Sequence, residues 1–360
     1  MTVIDTVLNI WNMVWPVLVA ILIFGLIIFI HEFGHFLFAK LFKVRVNQFA
    51  IGFGPAIFKF QKGETLYAIR ILPFGGYCAM EGEDGQSEDP RAFGNAKVYK
   101  RIIICAAGAV FNLILGFLIM LTIVSIQSNN LASTTISRFD DHAVSNTGQG
   151  LQVGDRILKI NNRHIFSSDD ISYMLASDED GVVSMQVKRD GENITLDAVQ
   201  FDMQEQDGRS FIELDFWVEP VDAGFFGIIG ESFNRTLSMG RLVWMSLGDL
   251  LTGKYGLNDI SGPVGVTSMM SSAVSSIAVN GVDGFIYLLR ILSLITINLG
   301  IFNLLPVPAL DGSRILFLII EWIRGKPIDP KKEGMVHAIG MAVLLVLMAV
   351  ILFKDVWALF

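Results

Sequence analysis

His31, Glu32 and His35 fall in the run Ile30-His31-Glu32-Phe33-Gly34-His35-Phe36, an H-E-x-x-H pattern. Four residues apart on a helix, two imidazoles project from one face and can grip a single zinc ion. Glu32 stands beside the first, where a carboxylate can take a proton from a water that the metal activates. The pattern lies where charge is expensive. Met13 to Ile30 is eighteen residues without a charge, and Phe36-Leu37-Phe38-Ala39 continues apolar beyond it. Ionisable side chains inside a membrane helix are costly, and they mark function by default. The bland alternative, two histidines capping an apolar helix by chance, fits poorly in so uncharged a run.

The elements that must position these residues follow from composition. The chain has 360 residues, 52% of them apolar, with a net charge of −8 and a mean hydropathy of +0.54. That is too apolar for a soluble protein and too mixed for a bare bundle of spans, so a membrane protein carrying a soluble part is expected. Residues 127–222 hold eighteen Asp/Glu against seven Lys/Arg, which places the acidity in one module. No basic patch points to nucleic acid. Cys78 sits in a Gly-rich loop and Cys105 in an apolar run, a setting for idle thiols rather than a disulfide or a zinc site. The N-terminus has no basic n-region and carries Asp5, so it reads as a retained span and not a signal peptide.

Four uncharged runs are long enough to cross a bilayer: Met13–Ile30, Ile102–Ile126, Ile291–Leu310 and Met335–Phe353. Residues 1–39 contain no Lys or Arg, 40–101 contain ten and 311–334 contain five. By the positive-inside rule both basic segments are cytoplasmic, and both termini and the acidic module lie outside. Spans one and three then run in the same direction, so Asp311, at the inner end of span three, reaches a depth similar to that of His31 and His35. It is the candidate third ligand. Lys40 is five residues past His35, about 7–8 Å along a helix, which puts the site close to the cytoplasmic surface. Pro306 and Pro308 cannot continue a regular helix. Irregular backbone at membrane depth lines a wet or protein-buried pocket, so Asn303 to Asp311 is expected to line one; the alternative is a helix that simply ends in an Asp311-Gly312 turn.

Between spans one and two, residues 46–77 read as strands. Ala56–Phe60 and Thr65–Ile71 flank a hairpin turn, and the segment is apolar enough to dip into the membrane beside the site. Its edge can take an extended substrate as an added strand, or it is an ordinary cytoplasmic hairpin. Gly108 and Asn112 in span two read as helix-packing residues. Residues 131–220 have strand-and-turn character, with a Gly154-Asp155 turn, a second turn at Asn161-Asn162 and a short helix from Asp169 to Leu175. Residues 221–284 are expected to lie as helical, amphipathic segments along the outer interface. His142, His164 and His337 lack helical partners and read as surface or packing residues.

These residues resemble a known family. His31-Glu32-Phe33-Gly34-His35 on the first span is similar to the intramembrane zinc metalloproteases of the site-2 protease family, and Asn303 to Gly312 to its second metal-binding motif. Gly150–Asn162 resembles the signature of bacterial PDZ domains, and Ser261–Gly265 a segment before the third span in the regulator-of-sigma-E protease group. The resemblance covers nearly the whole chain. Two departures stand out: one PDZ module where some relatives carry two, and Asp311-Gly312-Ser313-Arg314 where relatives often show D-G-G-H.

The resemblance implies a polytopic α-helical membrane protein with four transmembrane helices. It carries a cytoplasmic or membrane-reentrant β-hairpin region and one extracytoplasmic PDZ-like α+β domain. The expected segments are 1–39 with the first span, 40–101 with the hairpin, 102–126, 131–220 (PDZ-like), 221–284, 285–334 with the Asp-Gly motif, and 335–353. It further implies a zinc endopeptidase of a bacterial cytoplasmic membrane. Zn2+ would be held by His31, His35 and Asp311, with Glu32 as general base and Asn303 holding the substrate backbone. Its substrates would be single-pass membrane proteins, such as anti-sigma factors or remnant signal peptides, with membrane lipid as its other contact. From the residues alone a zinc transporter or sensor, or a membrane-tethered PDZ adaptor, remains open. The Glu beside the first His and the lack of a repeated site in a second half speak against these.

Overall fold

The computed structural model describes residues 3–83, 85, 87–148, 150–178, 180–206, 209–253 and 261–357. The first two and last three residues, on which the placement of the termini bears, lie outside the described set. Four helices are long and apolar enough to cross a membrane, and antiparallel strands make up most of the remainder. The chain divides into two units: residues 1–116 with 243–360, and residues 117–242.

The first unit begins with α1 (Val3–Leu41), whose apolar window runs from Val14 to Leu41 and ends on Lys40. Pro16 is accommodated within it. Leu18, Leu22 and Leu26 form an exposed stripe at four-residue spacing, the face expected toward lipid. Strands β1 (Val46–Lys62) and β2 (Thr65–Met80) follow. Lys62 pairs with Thr65 across the Gly63-Glu64 turn, as the sequence suggests. The ribbon does not stay a simple hairpin. Gln48–Ile51 pairs with Leu66–Ile69 on one edge and with Gly76–Ala79 on the other. The strand must therefore bend between these stretches, and Gly52 (φ 83°) and Gly75 (φ 85°) supply the left-handed backbone for it. This fold brings Gly76–Met80 back toward α1, while Phe53, Ile57, Phe58 and Ile71 stay exposed.

Helix α2 (Val98–Ile126) is the second span, and its part up to Gly116 belongs to this unit. Residues 131–221 carry strands β3 to β10 and helix α3, and residues 225–251 form a fourth helix, α4; these are described with the second unit. Helix α5 (Pro263–Leu304) is longer than the apolar run at 291–310 suggests, and Gly281 (φ 54°) breaks it in two. Its first part packs Met270, Ala273 and Val274 against Leu288 and Ile291 of the second and Ala20 of α1. It ends at Leu304, before Pro306, as the missing N–H and ring of proline require. Helix α6 (Asp311–Arg324) starts on Asp311 and α7 (Pro330–Trp357) is the last span. A core of Ala39, Val46, Phe49, Cys78, Ile104 and Cys105 joins α1, the strands and α2, and both cysteines are free and buried.

The second unit holds a sheet in the order β10-β3-β4-β6-β7, made of Phe216–Val221, Leu131–Phe139, Arg156–Ile160, Val182–Arg189 and Glu192–Gln200. The short β5 (Arg163–His164) pairs with β4, and β8 (Met203–Gln206) with β9 (Arg209–Ile212). Ile136, Ile157, Ile160, Ile171, Met185 and Val187 are among its most buried side chains. Both turns expected from sequence are present. Asp155 is wholly buried and accepts from Gln152 N–H and from Arg189. Asn161 and Asn162 both take positive φ. Helix α3 (Ser168–Ala176) starts under the Asp170 carboxylate, whose Oδ2 accepts the Phe166 and Ser167 N–H groups. Helix α4 (Phe225–Leu251) turns its polar side inward: Ser232, Arg235 and Ser238 are buried, and Ser238 and Arg241 both bond Asp170. Its other side exposes Phe226, Phe233, Leu237 and Trp244.

Candidate metal centre

His31 and His35 occupy one face of α1, and their rings meet at 81° with centroids 4.9 Å apart. They are 8% and 7% exposed. The turn from α5 into α6 delivers Asp311 to the same point. Its Oδ2 lies 3.2 Å from His31 Nε2 and 3.2 Å from His35 Nε2, and the two nitrogens are 3.3 Å apart. Residues 280 apart in sequence are thus brought together in space, and the three form a group that could hold a metal ion.

The donor set passes a geometric test for zinc. At metal–ligand distances of 2.0–2.1 Å, tetrahedral ligand atoms stand about 3.3 Å from one another. The three observed separations have that size. Asp311 Oδ2 is buried yet has no hydrogen-bond partner among the described residues, as expected of an atom reserved for a cation. Two imidazoles and one carboxylate are a catalytic rather than a closed structural set, since a fourth position stays open.

The rings are fixed from behind by α2. His35 Nδ1 lies 2.8 Å from the Ile104 carbonyl, to which it can only donate, leaving Nε2 with its lone pair toward the metal. His31 Nδ1 lies 3.2 Å from the Asn112 carboxamide nitrogen, while Asn112 Oδ1 is buried with no partner among the described residues. With that amide turned by half a turn, Oδ1 accepts Nδ1–H. Asn112 is itself fully buried, and its backbone carbonyl accepts from Thr296 of α5. The sequence reading took it as helix packing. Its four-residue distance from Gly108 was the available signal, because the two share a face toward α1.

That approach depends on glycine. A Cβ on Gly34 would stand 2.6 Å from the Ala107 carbonyl oxygen. A Cβ on Gly108 would stand 2.8 Å from both His31 Cε1 and His35 Cδ2, and closer still to His35 Nε2. Glu32 faces the strands: the Cys78 N–H donates to its carboxylate, and Gly76 leaves only 3.0 Å between a would-be Cβ and Glu32 Cγ. The stretch beside Glu32 is therefore Gly76–Cys78, at the far end of the 46–77 strand region. Asn303 sits half-buried in the last turn of α5, and among the described residues no hydrogen bond joins its side chain to His31, His35 or Asp311.

Helix α6 is pinned at two points beyond Asp311. Arg314 pairs with Glu83 at 2.5 Å, and Arg101 of α2 forms a two-armed pair with Glu321. Arg314, one of the two residues that depart from the D-G-G-H pattern, serves this clasp.

Residues 19–347 match the profile of peptidase family M50. A putative zinc metalloprotease of Clostridium acetobutylicum is 36% identical over 344 residues, covering 94% of this chain and 97% of that protein. The regulator of sigma-W protease RasP of Bacillus subtilis is 29% identical, covering 96% and 99%. A putative zinc metalloprotease of Fusobacterium nucleatum is 32% identical over 354 residues, covering 95% and 99%.

Proposed function

The chain belongs to peptidase family M50, the site-2 protease family of intramembrane zinc metalloproteases, and on that premise we propose that it cleaves single-pass membrane proteins within their transmembrane segments. The observation that carries this is the trio of ligand atoms 3.2–3.3 Å apart at the end of a membrane-length helix. Peptide bonds that reach such a site must themselves be in the membrane.

His31, His35 and Asp311 are the zinc ligands in this account. A bound zinc supplies Lewis acidity, making a water nucleophilic near neutral pH and polarising the scissile carbonyl. Glu32 takes the proton from the attacking water and delivers it to the leaving amine nitrogen. Ile104 and Asn112 keep both imidazoles in the tautomer that presents Nε2. A substrate helix hides its peptide groups in i→i−4 hydrogen bonds and must unwind locally. Strand pairing with the bent hairpin and contact with Asn303 hold the unwound stretch. The exposed Phe53, Ile57 and Phe58 suit a hairpin immersed at the membrane surface.

Residues 131–220 act in this account as an extracytoplasmic PDZ-like domain that hinders intact, bulky substrates. Lys and Arg counts support an orientation with both termini outside and with 40–101 and 311–334 in the cytoplasm. The Bacillus subtilis relative, a regulator of sigma-W protease, supports an anti-sigma factor as substrate, with remnant signal peptides as the other class. Glu32→Gln tests the reading: zinc content and fold should persist while cleavage of a co-expressed single-pass protein stops. Continued cleavage would remove Glu32 from the mechanism.

A further inference from the structure

Helix α7 is exposed along nearly all of its length and touches the rest of its unit through one narrow seam. Glu333, His337, Gly340, Leu344 and Ile351 are half-buried and Asp355 is buried, at spacings of 4, 3, 4, 7 and 4, which is one face of a helix. The two ends of this seam grip two irregular segments. At one end, Asp355 accepts the N–H groups of Gly265 (3.0 Å) and Gly262 (3.4 Å), capping the start of α5. A Cβ on Gly262 would stand 2.6 Å from Asp355 Oδ2 and 2.5 Å from Ile351 Cγ2, so glycine is needed there. At the other end lies the turn that carries Asp311.

That turn is held in an uncommon shape. Ala309 has φ 76°, a left-handed backbone that disfavours a residue with a Cβ. Its N–H donates to His337 Nδ1 at 3.2 Å. The His337 ring also packs edge-on to Phe317 of α6, with centroids 5.8 Å apart, and its Nε2 faces Glu333 Oε1 at 3.9 Å. Gly340 lies directly under Pro308, whose carbonyl carbon and oxygen are 2.9 Å from where a Cβ would be. Asp311 begins two residues after Ala309, with Ser313 Oγ donating to the Leu310 carbonyl. An acceptor on α7 and a missing side chain on α7 thus define the backbone that aims the third ligand.

We propose that α7 is a brace for the metal centre, in which His337 and Gly340 are positioning residues that hold the 305–310 turn so that Asp311 reaches the two histidines. The proposal rests on Asp311 being a ligand. Its chemistry is specific: His337 serves as a hydrogen-bond acceptor at Nδ1, not as bulk. Asparagine places its Oδ1 near the position of Nδ1, whereas leucine fills the space without an acceptor.

The experiment compares zinc affinity, by chelator competition on the full-length protein in detergent, with cleavage kinetics. His337→Leu should bind zinc about 10–100-fold more weakly and lose kcat more than KM. His337→Asn should recover most of the wild-type affinity. Ala309→Gly in the His337→Leu background should also recover it, because glycine adopts the left-handed turn without the tether. Wild-type zinc affinity in His337→Leu would overturn the proposal, as would an Asn variant no better than Leu. Asp311→Ala keeps the two readings apart. If it retains zinc, the ligand assignment falls, and the brace with it. If it loses zinc while His337→Leu does not, the brace alone is wrong.

Discussion

Gly108→Ala probes how closely the metal site depends on the approach of two helices. A methyl group there would stand 2.8 Å from His31 Cε1 and His35 Cδ2, and nearer to the ligand atom His35 Nε2. Carbon contacts settle near 3.5 Å, so the His31 ring must move by about 0.7 Å and the His35 ring by more. Alanine gains about 0.8–1 kcal/mol of helix propensity over glycine, so α2 itself should form as well as before. The damage falls on the ligands. A misplacement of about 1 Å costs on the order of a hundredfold in rate, and disturbed ligand support costs about 10–100-fold in metal affinity. Gly108→Ala should therefore lower kcat/KM at least about tenfold and raise the zinc Kd by a comparable factor. Gly116→Ala, on the same helix, is the control: its Cβ would meet the flexible Ile297 side chain, Cδ1 at 3.0 Å, well away from the rings. It should perturb packing and leave zinc affinity alone. The assay is chelator competition and cleavage of one single-pass substrate by all three proteins. Wild-type zinc affinity in Gly108→Ala would refute the claim that α2 backs the ligands at this distance.

Asn112→Leu keeps the volume but removes the partner of His31 Nδ1; zinc affinity should fall about 10–100-fold, read by the same competition. Glu321→Met leaves Arg101 nearly buried without its carboxylate and should destabilise the first unit by about 3 kcal/mol in thermal unfolding. The Arg101→Met/Glu321→Met double variant should be much closer to wild type. A double variant as weak as the single would show that the pair does more than satisfy itself. Arg241→Leu strips one partner from the fully buried Asp170, which keeps Ser238 and the Phe166 and Ser167 N–H groups. Hydrogen exchange should quicken in α3 and α4 together, and exchange confined to α4 would contradict that coupling.

The parts legible in sequence were those set by strong local physics. An eighteen-residue uncharged run followed at once by His31 has few interpretations, and the distribution of Lys and Arg pointed to Asp311, which the fold brings beside the two histidines. The Asn161-Asn162 turn and the Gly63-Glu64 turn also announced themselves. What sequence hid was long-range. One such feature is the packing of Met270, Ala273 and Val274, before the break at Gly281, against Leu288 and Ile291 beyond it and against Ala20 of α1. The bend that returns Gly76–Met80 to Glu32 depends on pairing both edges of Gln48–Ile51, which no local pattern encodes. His337 read as a surface residue because its partner is a backbone N–H 28 residues away. Asn112 read as packing because a carboxamide in a span serves packing and ligand support equally well until its neighbour is known.

The central claim is hydrolysis inside the membrane, by a water that Glu32 deprotonates at the His31, His35 and Asp311 site. Its most direct test places the purified zinc-loaded protein in lipid vesicles with a single-pass substrate and determines the cut site by mass spectrometry. The account predicts cleavage within the apolar segment by the wild type and none by Glu32→Gln at equal zinc content. A cut outside that segment, or an unchanged cut by Glu32→Gln, would contradict it.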